Sequence, residues 1–103
     1  MKSGIELIAE ERQRQIEVEG YSIENDQKHE DGELADAAAV YALSPDAMDS
    51  MDDTWGNDMY LLLWPFDLKH LKKTNQGSIY ERSKDLIKAG ALIAAELDRL
   101  QNL

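Results

Sequence analysis

Two carboxylates near the middle of the chain have the spacing to hold a divalent cation. Glu33 and Asp36 are three residues apart at the start of an alanine-rich stretch. In a helix this spacing places both side chains on one face, where they can reach one hard cation such as Mg²⁺. Pairs of acids at this interval also occur on many solvated helix surfaces, so a metal site requires matching groups from a second helix.

Two further segments carry acids that are predicted to turn inward. Glu11, Gln15 and Glu19 follow one another at four-residue intervals beside an apolar stripe, and Asp85 and Glu96 lie along nearly one line with small alanines between them. Each group also has an ordinary structural interpretation, because long side chains reach solvent from half-buried faces and an acid is favourable near a helix start. Three segments that all turn acids inward favour a shared interior site.

The apolar periodicity predicts the helices that must position these groups. The predicted helices lie near residues 4–19, 31–43 and 79–101, with Ser3 as the N-cap of the first. Strand-like alternation is nearly absent from the sequence. We therefore predict an all-α fold, a bundle of three principal helices in which the 103 residues form a single domain.

The remaining segments and the packing faces are predicted as follows. Residues 44–58 are acidic and aperiodic and are predicted to form a surface loop, whereas residues 59–67 could be a short helix or an extended segment. Alanines on the second and third principal helices predict close packing between them. The core stripe of the third is predicted to consist of Leu86, Gly90, Ile93, Leu97 and Leu100.

Composition limits the class of protein. A chain of 103 residues buries a small core, so we expect a homodimer or higher homo-oligomer. The absence of cysteine suggests a reducing compartment, and we find neither an export signal nor a membrane anchor, so a cytoplasmic protein without a membrane partner is expected. The net charge of −10 disfavours nucleic acid as a partner.

Several blocks of the sequence resemble those of one known family. They are Glu11-Arg12-Gln13-Arg14-Gln15, Glu19-Gly20-Tyr21-Ser22, Asp26 with His29, Gly32-Glu33-Leu34-Ala35 with Ala37, Ala38 and Tyr41, Trp64-Pro65-Phe66-Asp67, and Arg82 through Ile93 to Glu96. On these blocks the chain resembles the small phage and prophage branch of the MazG-like nucleoside triphosphate pyrophosphohydrolases, an all-α superfamily that includes dimeric dUTPases.

The resemblance implies a Mg²⁺ or Mn²⁺ site. The superfamily carries an EExxE pattern on one helix and ExxD on the next. Glu33 and Asp36 fit ExxD, and Glu10 with Glu11 fits the opening pair, but Arg14 stands where the last glutamate is expected. That departure leaves the last ligand to Gln15 or Glu19. The metal ligands expected on this basis are Glu11, Glu33, Asp36, Asp85 and Glu96, with Glu11 and Glu33 as the catalytic residues.

The same resemblance implies a metal-dependent hydrolysis of a nucleoside triphosphate to monophosphate and pyrophosphate. The residues expected to contact substrate are Arg12, Gln15, Glu19, His29, Trp64, Arg82 and Lys88. Lys69, Lys72 and Lys73 are available for outer phosphates, although exposed lysines often only keep a protein soluble. Aromatic residues could stack on a base or simply fill the core. The alternative function is a catalytically inactive, acidic helical protein of phage or prophage origin that acts by binding another protein.

Overall fold

The computed structural model describes residues 1–18, 28, 30–56 and 59–103. All regular structure in these ranges is helical. It comprises α1 (Gly4–Val18), α2 (Glu33–Ala42), α3 (Pro45–Trp55), two short 3₁₀ helices (Met59–Leu63 and Leu68–His70) and α4 (Ile79–Gln101). The predicted all-α class is therefore confirmed for the described part of the chain. None of the described helices is both long and apolar enough to cross a membrane.

Capping side chains set where α1 and α4 begin. Ser3 Oγ accepts a hydrogen bond from the Glu6 amide at 3.2 Å, and the Glu6 carboxylate accepts one in return from the Ser3 amide. Ser78 Oγ likewise accepts from the Glu81 amide at 3.1 Å. A serine followed three residues later by glutamate satisfies amides that the first helical turn leaves without partners. Both helices begin where the sequence predicts.

The acidic segment predicted as a loop is a helix over Pro45–Trp55, so that prediction is wrong. Ser44 Oγ accepts from the Ala47 amide at 3.1 Å, and Pro45 occupies the first helical turn, where its missing amide hydrogen costs nothing. None of its residues is fully buried, yet Met48, Met51 and Trp55 recur at intervals of three and four residues, a helical periodicity that the prediction overlooked among the acids. The cap at Ser44 marks where this helix begins.

The core lies where α2 packs on α4 through small residues. The fully or almost fully buried residues of this contact are Leu34, Ala37, Ala38, Tyr41, Ala89, Leu92 and Ala95. Because most of these side chains are single methyl groups, the two helix backbones approach closely. The alanine faces predicted to meet do so.

On the other side of α4, α1 approaches at Gly90. A Cβ atom built at Gly90 would lie only 2.5 Å from Cδ1 of Ile8, so a larger residue there would force Ile8 to move. The α1 face turned inward includes two polar side chains, Arg12 and Gln15, which are both buried. The inward direction predicted for the polar row of α1 is confirmed for Gln15.

The predicted core stripe of α4 is wrong for the single chain. Leu86, Ile93, Leu97 and Leu100 remain between 41% and 54% exposed. The buried face of the helix instead carries the smaller residues that permit close contact with α2. The larger side chains of the stripe lie half-exposed on one side of the helix, next to Gly90, the stripe residue that packs against Ile8 of α1.

Replacing Ala38 with leucine tests the close packing of α2 on α4. Ala38 is 2% exposed, so a leucine would overpack the contact and should lower the free energy of unfolding by about 1–3 kcal/mol. The neighbouring Ala39 is exposed, and Ala39→Leu should change it by no more than about 0.5 kcal/mol. Urea denaturation followed by circular dichroism measures both. Equal effects of the two substitutions would contradict the packing described.

Candidate functional site

A narrow cavity of about 60 Å³ opens between α1, α2, α4 and the segment that follows the first 3₁₀ helix. We call it the aromatic cleft. Its aromatic wall is formed by Tyr41, Trp64 and Phe66, and its polar side includes Glu11, Gln15 and Lys88. The cleft therefore combines flat apolar surfaces with charged groups, in a volume well below the roughly 300–1,000 Å³ of small-molecule sites.

The aromatic wall is built by edge-to-face contacts. The ring centroids of Tyr41 and Trp64 are 5.7 Å apart, those of Trp64 and Phe66 are 5.6 Å apart, and both pairs meet at 85°. Trp64 is fixed further because its indole N–H donates to the Asp67 carbonyl oxygen at 3.1 Å. Perpendicular packing of this kind is favourable beyond the area it buries, so the wall is held in one arrangement.

Glu11 and Arg14 form the charged edge of the cleft. Two guanidinium nitrogens of Arg14 each donate to a Glu11 carboxylate oxygen at 2.7 Å, and Gln15 Nε2 donates to Glu11 at 3.2 Å. Partial burial alone would raise the pKa of the Glu11 carboxyl. The hydrogen bonds and charge of Arg14 outweigh that effect, so the pKa lies below its ordinary value. Glu11 is therefore an ionised carboxylate in the folded protein.

A second cavity, of about 650 Å³, lies along the groove between α1 and α4. Leu7, Glu11 and Arg14 line it from α1, and Tyr80, Lys84 and Lys88 from α4. Glu11, Arg14 and Lys88 also line the aromatic cleft, so the two cavities meet at these side chains. We call this second cavity the cationic groove, because three of its side chains are cationic.

Lys88 joins the two cavities. Its ammonium lies 5.5 Å from the centroid of the Tyr41 ring, close enough for a cation–π contact. Burial lowers the pKa of Lys88 below its ordinary value, and the neighbouring charge of Lys84 lowers it further. The groove therefore holds cations near one another in a chain whose net charge is −10. A bound anion would relieve their repulsion.

Asp85 was predicted to be a metal ligand. In the structure it lines neither cavity and is surrounded by hydrogen-bond donors. Asp85 is 0% exposed and accepts hydrogen bonds from the Thr74 amide at 3.1 Å, from Thr74 Oγ1 at 3.0 Å and from Gln76 Nε2 at 3.0 Å. Its carboxylate also lies 3.5 Å from Nζ of Lys73. Several donors thus already bind this carboxylate, and their contacts hold residues 73–76, the segment just before α4, in place.

The anchored segment is tied to α2 as well. Lys73 Nζ donates to the carbonyl oxygens of Tyr41 and Leu43 at 3.1 and 3.0 Å, at the end of α2. The Lys72 amide donates to the Tyr41 hydroxyl at 2.9 Å. Burial lowers the pKa of Lys73, against the attraction of Asp85. The Asp85 network therefore links α4, α2 and one wall of the aromatic cleft.

Three other predicted site residues have structural partners outside the two cavities. Glu96 forms an ion pair with Arg99 on α4. Arg12 lies 3.5 Å from the carboxylate of Asp98, and Arg82 donates to Gln76 Oε1 at 2.6 Å. These contacts join helices or support the Asp85 network. The structure does not bring these side chains to the cleft.

The ExxD pair lies at the start of α2. Glu33 is half-buried and accepts a hydrogen bond from the Asp31 amide at 2.7 Å, whereas Asp36 is exposed. Glu19 and His29 lie outside the described residues. Within the ranges that are described, no three His, Asp or Glu side chains are grouped so that they could hold a metal ion. The predicted ligand set is thus not assembled there and stays a prediction.

Sequence reasoning missed several residues of the two cavities. Arg14 was considered only as a departure from a pattern, yet it lines both cavities. Lys84 precedes Lys88 by four residues, and this spacing on one helix face could have found it. His70 lines the aromatic cleft from the end of the second 3₁₀ helix, a position that no local pattern indicates.

Comparisons of the chain with protein-family models, with curated protein sequences and with solved structures give no match. The resemblance to the MazG-like enzymes thus rests on the residues quoted from the sequence. The function of the cleft has to be argued from its own geometry and charge.

Changing Asp85 to asparagine tests the network. Asparagine keeps the shape but presents an NH₂ group to donors and leaves the buried Lys73 ammonium without its anion. We expect the free energy of unfolding to fall by about 3–5 kcal/mol, as when one partner of a buried ion pair is removed. Asp53→Asn, at an exposed site on α3, is the matched control and should change it by no more than about 0.5 kcal/mol. An unchanged urea midpoint for Asp85→Asn would show that the network is not an anchor.

Proposed function

We propose that this protein binds a nucleoside triphosphate across the aromatic cleft and the cationic groove and hydrolyses it, with Mg²⁺ or Mn²⁺, to a monophosphate and pyrophosphate. The observation that carries the proposal is the meeting of an aromatic wall with clustered cations in a strongly acidic chain. Such a combination suits a ligand that is flat and apolar at one end and multiply negative at the other.

The two cavities differ in the part of a nucleotide that they suit. The aromatic cleft offers ring faces and edges, which contact a base of any identity. The cationic groove offers Arg14, Lys84 and Lys88, and its volume of about 650 Å³ lies within the range of small-molecule sites. We therefore assign the base to the cleft, whose walls have to separate to admit a ring because its volume is about 60 Å³, and the phosphates to the groove and to the side chains shared with it.

Two helices offer carboxylates for a metal ion at the phosphates. Ala37 and Tyr41 line the cleft from α2, and Glu33 precedes Ala37 by four residues, so Glu33 continues the same helix face towards the start of α2. Glu11 lines the cleft from α1. Together with Asp36 these groups would supply an all-oxygen donor set, which suits Mg²⁺, if the ion draws them together, since the described residues do not group three acids around one point. Asp85 and Glu96 are left out of the proposed set because neither lines the cleft or the groove.

The protein's own residues have separate parts in the proposed reaction. Bound Mg²⁺ or Mn²⁺ would neutralise phosphate charge and lower the pKa of a coordinated water. Arg14 and Lys88 hold the phosphates by charge. Because the pKa of Glu11 is low, this carboxylate is better suited to an anionic positioning role than to accepting a proton. Glu33 is the proposed general base or metal ligand.

Changing Glu33 to glutamine tests the proposed activity. The substitution preserves side-chain size and removes one negative charge, so pyrophosphate release from the common ribo- and deoxynucleoside triphosphates should be abolished while the melting temperature is retained. Glu17 is an exposed glutamate on α1, and Glu17→Gln should leave turnover unchanged. A coupled pyrophosphate assay with and without Mg²⁺ measures the rates.

Two results would contradict the proposal. If the unmodified protein releases no pyrophosphate from any of the nucleotides with either metal, it is not a pyrophosphohydrolase. If Glu33→Gln turns over normally, the metal or base has been assigned to the wrong residue.

Lys88→Gln should raise KM more than it lowers kcat, and Lys69→Gln, which removes the same charge outside both cavities, controls for net charge.

The exposed stripe of α4 supports a second element of the proposal, a homodimer. Leu86, Ile93, Leu97 and Leu100 form an apolar face on one helix, and large exposed apolar faces commonly mark protein interfaces. The same face favours the alternative function, in which an inactive protein binds a different partner. A second copy of this chain is the occupant that we propose, because a 103-residue domain gains core by covering the stripe with its own copy.

Introducing lysine at Leu97 tests the dimer. We expect the unmodified protein to sediment as a dimer at micromolar concentration and Leu97→Lys to sediment as a monomer, because a charge buried in an apolar interface is strongly unfavourable. Leu62 is also exposed but lies on the first 3₁₀ helix, and Leu62→Lys should remain dimeric. A fully helical monomer at that concentration in the unmodified protein would leave the stripe to another partner.

A further inference from the structure

The side-chain amide of Gln15 in the aromatic cleft has a carbonyl oxygen without a hydrogen-bond donor among the described residues. Gln15 is 4% exposed and lines the cleft. Its Nε2 donates to the Glu11 carboxylate at 3.2 Å. Its carbonyl oxygen, Oε1, is buried and accepts no hydrogen bond from the described part of the chain. The amide is therefore satisfied on one side only.

The chemistry of Glu11 fixes which way this amide faces. The oxygen and nitrogen of a glutamine amide are hard to distinguish by shape, so the hydrogen-bond partners must assign them. Two guanidinium nitrogens of Arg14 donate to the two carboxylate oxygens of Glu11, and a carboxylate paired in this way only accepts hydrogen bonds. The NH₂ group of Gln15 must therefore face Glu11, and turning the amide over would place two acceptors together. Oε1 is an acceptor held in place.

A fixed and buried acceptor without a partner is unusual in a folded protein. More than nine in ten buried polar groups are hydrogen-bonded, since leaving such a group unpaired costs free energy. Gln15 lines a cleft whose other wall is aromatic, so a flat ring that enters edge-on and uncovers Oε1 would bring a donor within its reach. Apolar walls with one placed polar group are the usual way in which a pocket selects the orientation of a ring.

We infer that Gln15 is a specificity residue whose carbonyl oxygen accepts a hydrogen bond from an N–H group on the edge of the bound nucleobase. This inference rests on the proposed function, because the ligand class is the nucleotide assigned there. Gln15 then selects bases that present an N–H at that position and discriminates against ring systems that present only acceptors or C–H groups. Its contact is to the base, and it depends on the proposed metal site only through Glu11, which orients the amide.

The test begins with the unmodified protein and needs no variant. The dissociation constants of four α,β-imido deoxynucleoside triphosphates, one for each common base, are measured by calorimetry. The tightest is then compared with its analogue lacking the N–H, such as purine in place of adenine or 2-pyrimidinone in place of cytosine. We expect the analogue to bind about tenfold more weakly, as for the loss of one hydrogen bond to a buried neutral acceptor.

Changing Gln15 to methionine assigns that difference to Gln15. Methionine has similar length but no carbonyl oxygen, so base and analogue should bind the variant with equal affinity. Gln13 is exposed two residues away on the same helix, and Gln13→Met should keep the full tenfold difference. A difference retained in Gln15→Met would overturn the inference, because another group would then be reading the base.

The remaining outcomes separate this inference from the proposed function. Equal binding of base and analogue to the unmodified protein overturns the inference alone. If none of the four nucleotides binds, the proposed function fails and the inference fails with it. Should Gln15→Met not fold, Gln15→Leu, which also lacks the carbonyl oxygen, takes its place with the same expected result.

Discussion

The buried carboxylate of Asp85 is the constraint on which the arrangement of the site depends. It gathers donors from Thr74 and Gln76 and lies beside the Lys73 ammonium, which itself reaches the last carbonyls of α2. Gln76 adopts a left-handed backbone with φ of 56°, a strained conformation that a surrounding network can hold. Without this anchor the chain before α4 would keep its hydrogen bonds from Lys72 and Lys73 to the end of α2 but would lose its buried tie to α4.

Cationic side chains cluster at the groove although the chain as a whole is strongly acidic. The protein carries 21 acidic and 11 basic residues, yet Arg14, Lys84 and Lys88 converge around a single carboxylate, Glu11. Arg14 keeps Glu11 ionised, and Glu11 in turn orients the amide of Gln15. One ion pair therefore controls both the electrostatics of the groove and the hydrogen-bonding character of the cleft. This coupling is why we argue the function from the two cavities together.

Local signals were sufficient for most of the fold. Ser3 and Ser78 begin their helices through side-chain hydrogen bonds that the sequence already contains, and alanines pack α2 on α4 as predicted. The helix after Ser44 was missed because its few apolar residues, although at helical spacing, are interleaved with acids and none is fully buried. The stripe containing Leu97 was assigned to the core because periodicity identifies an apolar face without saying which of two faces a single chain covers.

By itself the sequence determined the helical class, the limits of α1 and α4 and the identity of several cleft residues, since caps and periodicity are local properties of the chain. Only the tertiary structure decided that Asp85 is an anchor, that Glu96 pairs with Arg99 and that Gln15 holds a buried acceptor at an aromatic wall. An acid predicted to face inward can bind a metal, an ammonium group or a backbone amide equally well. Which of these it meets depends on residues distant in the chain, and their positions are set by packing.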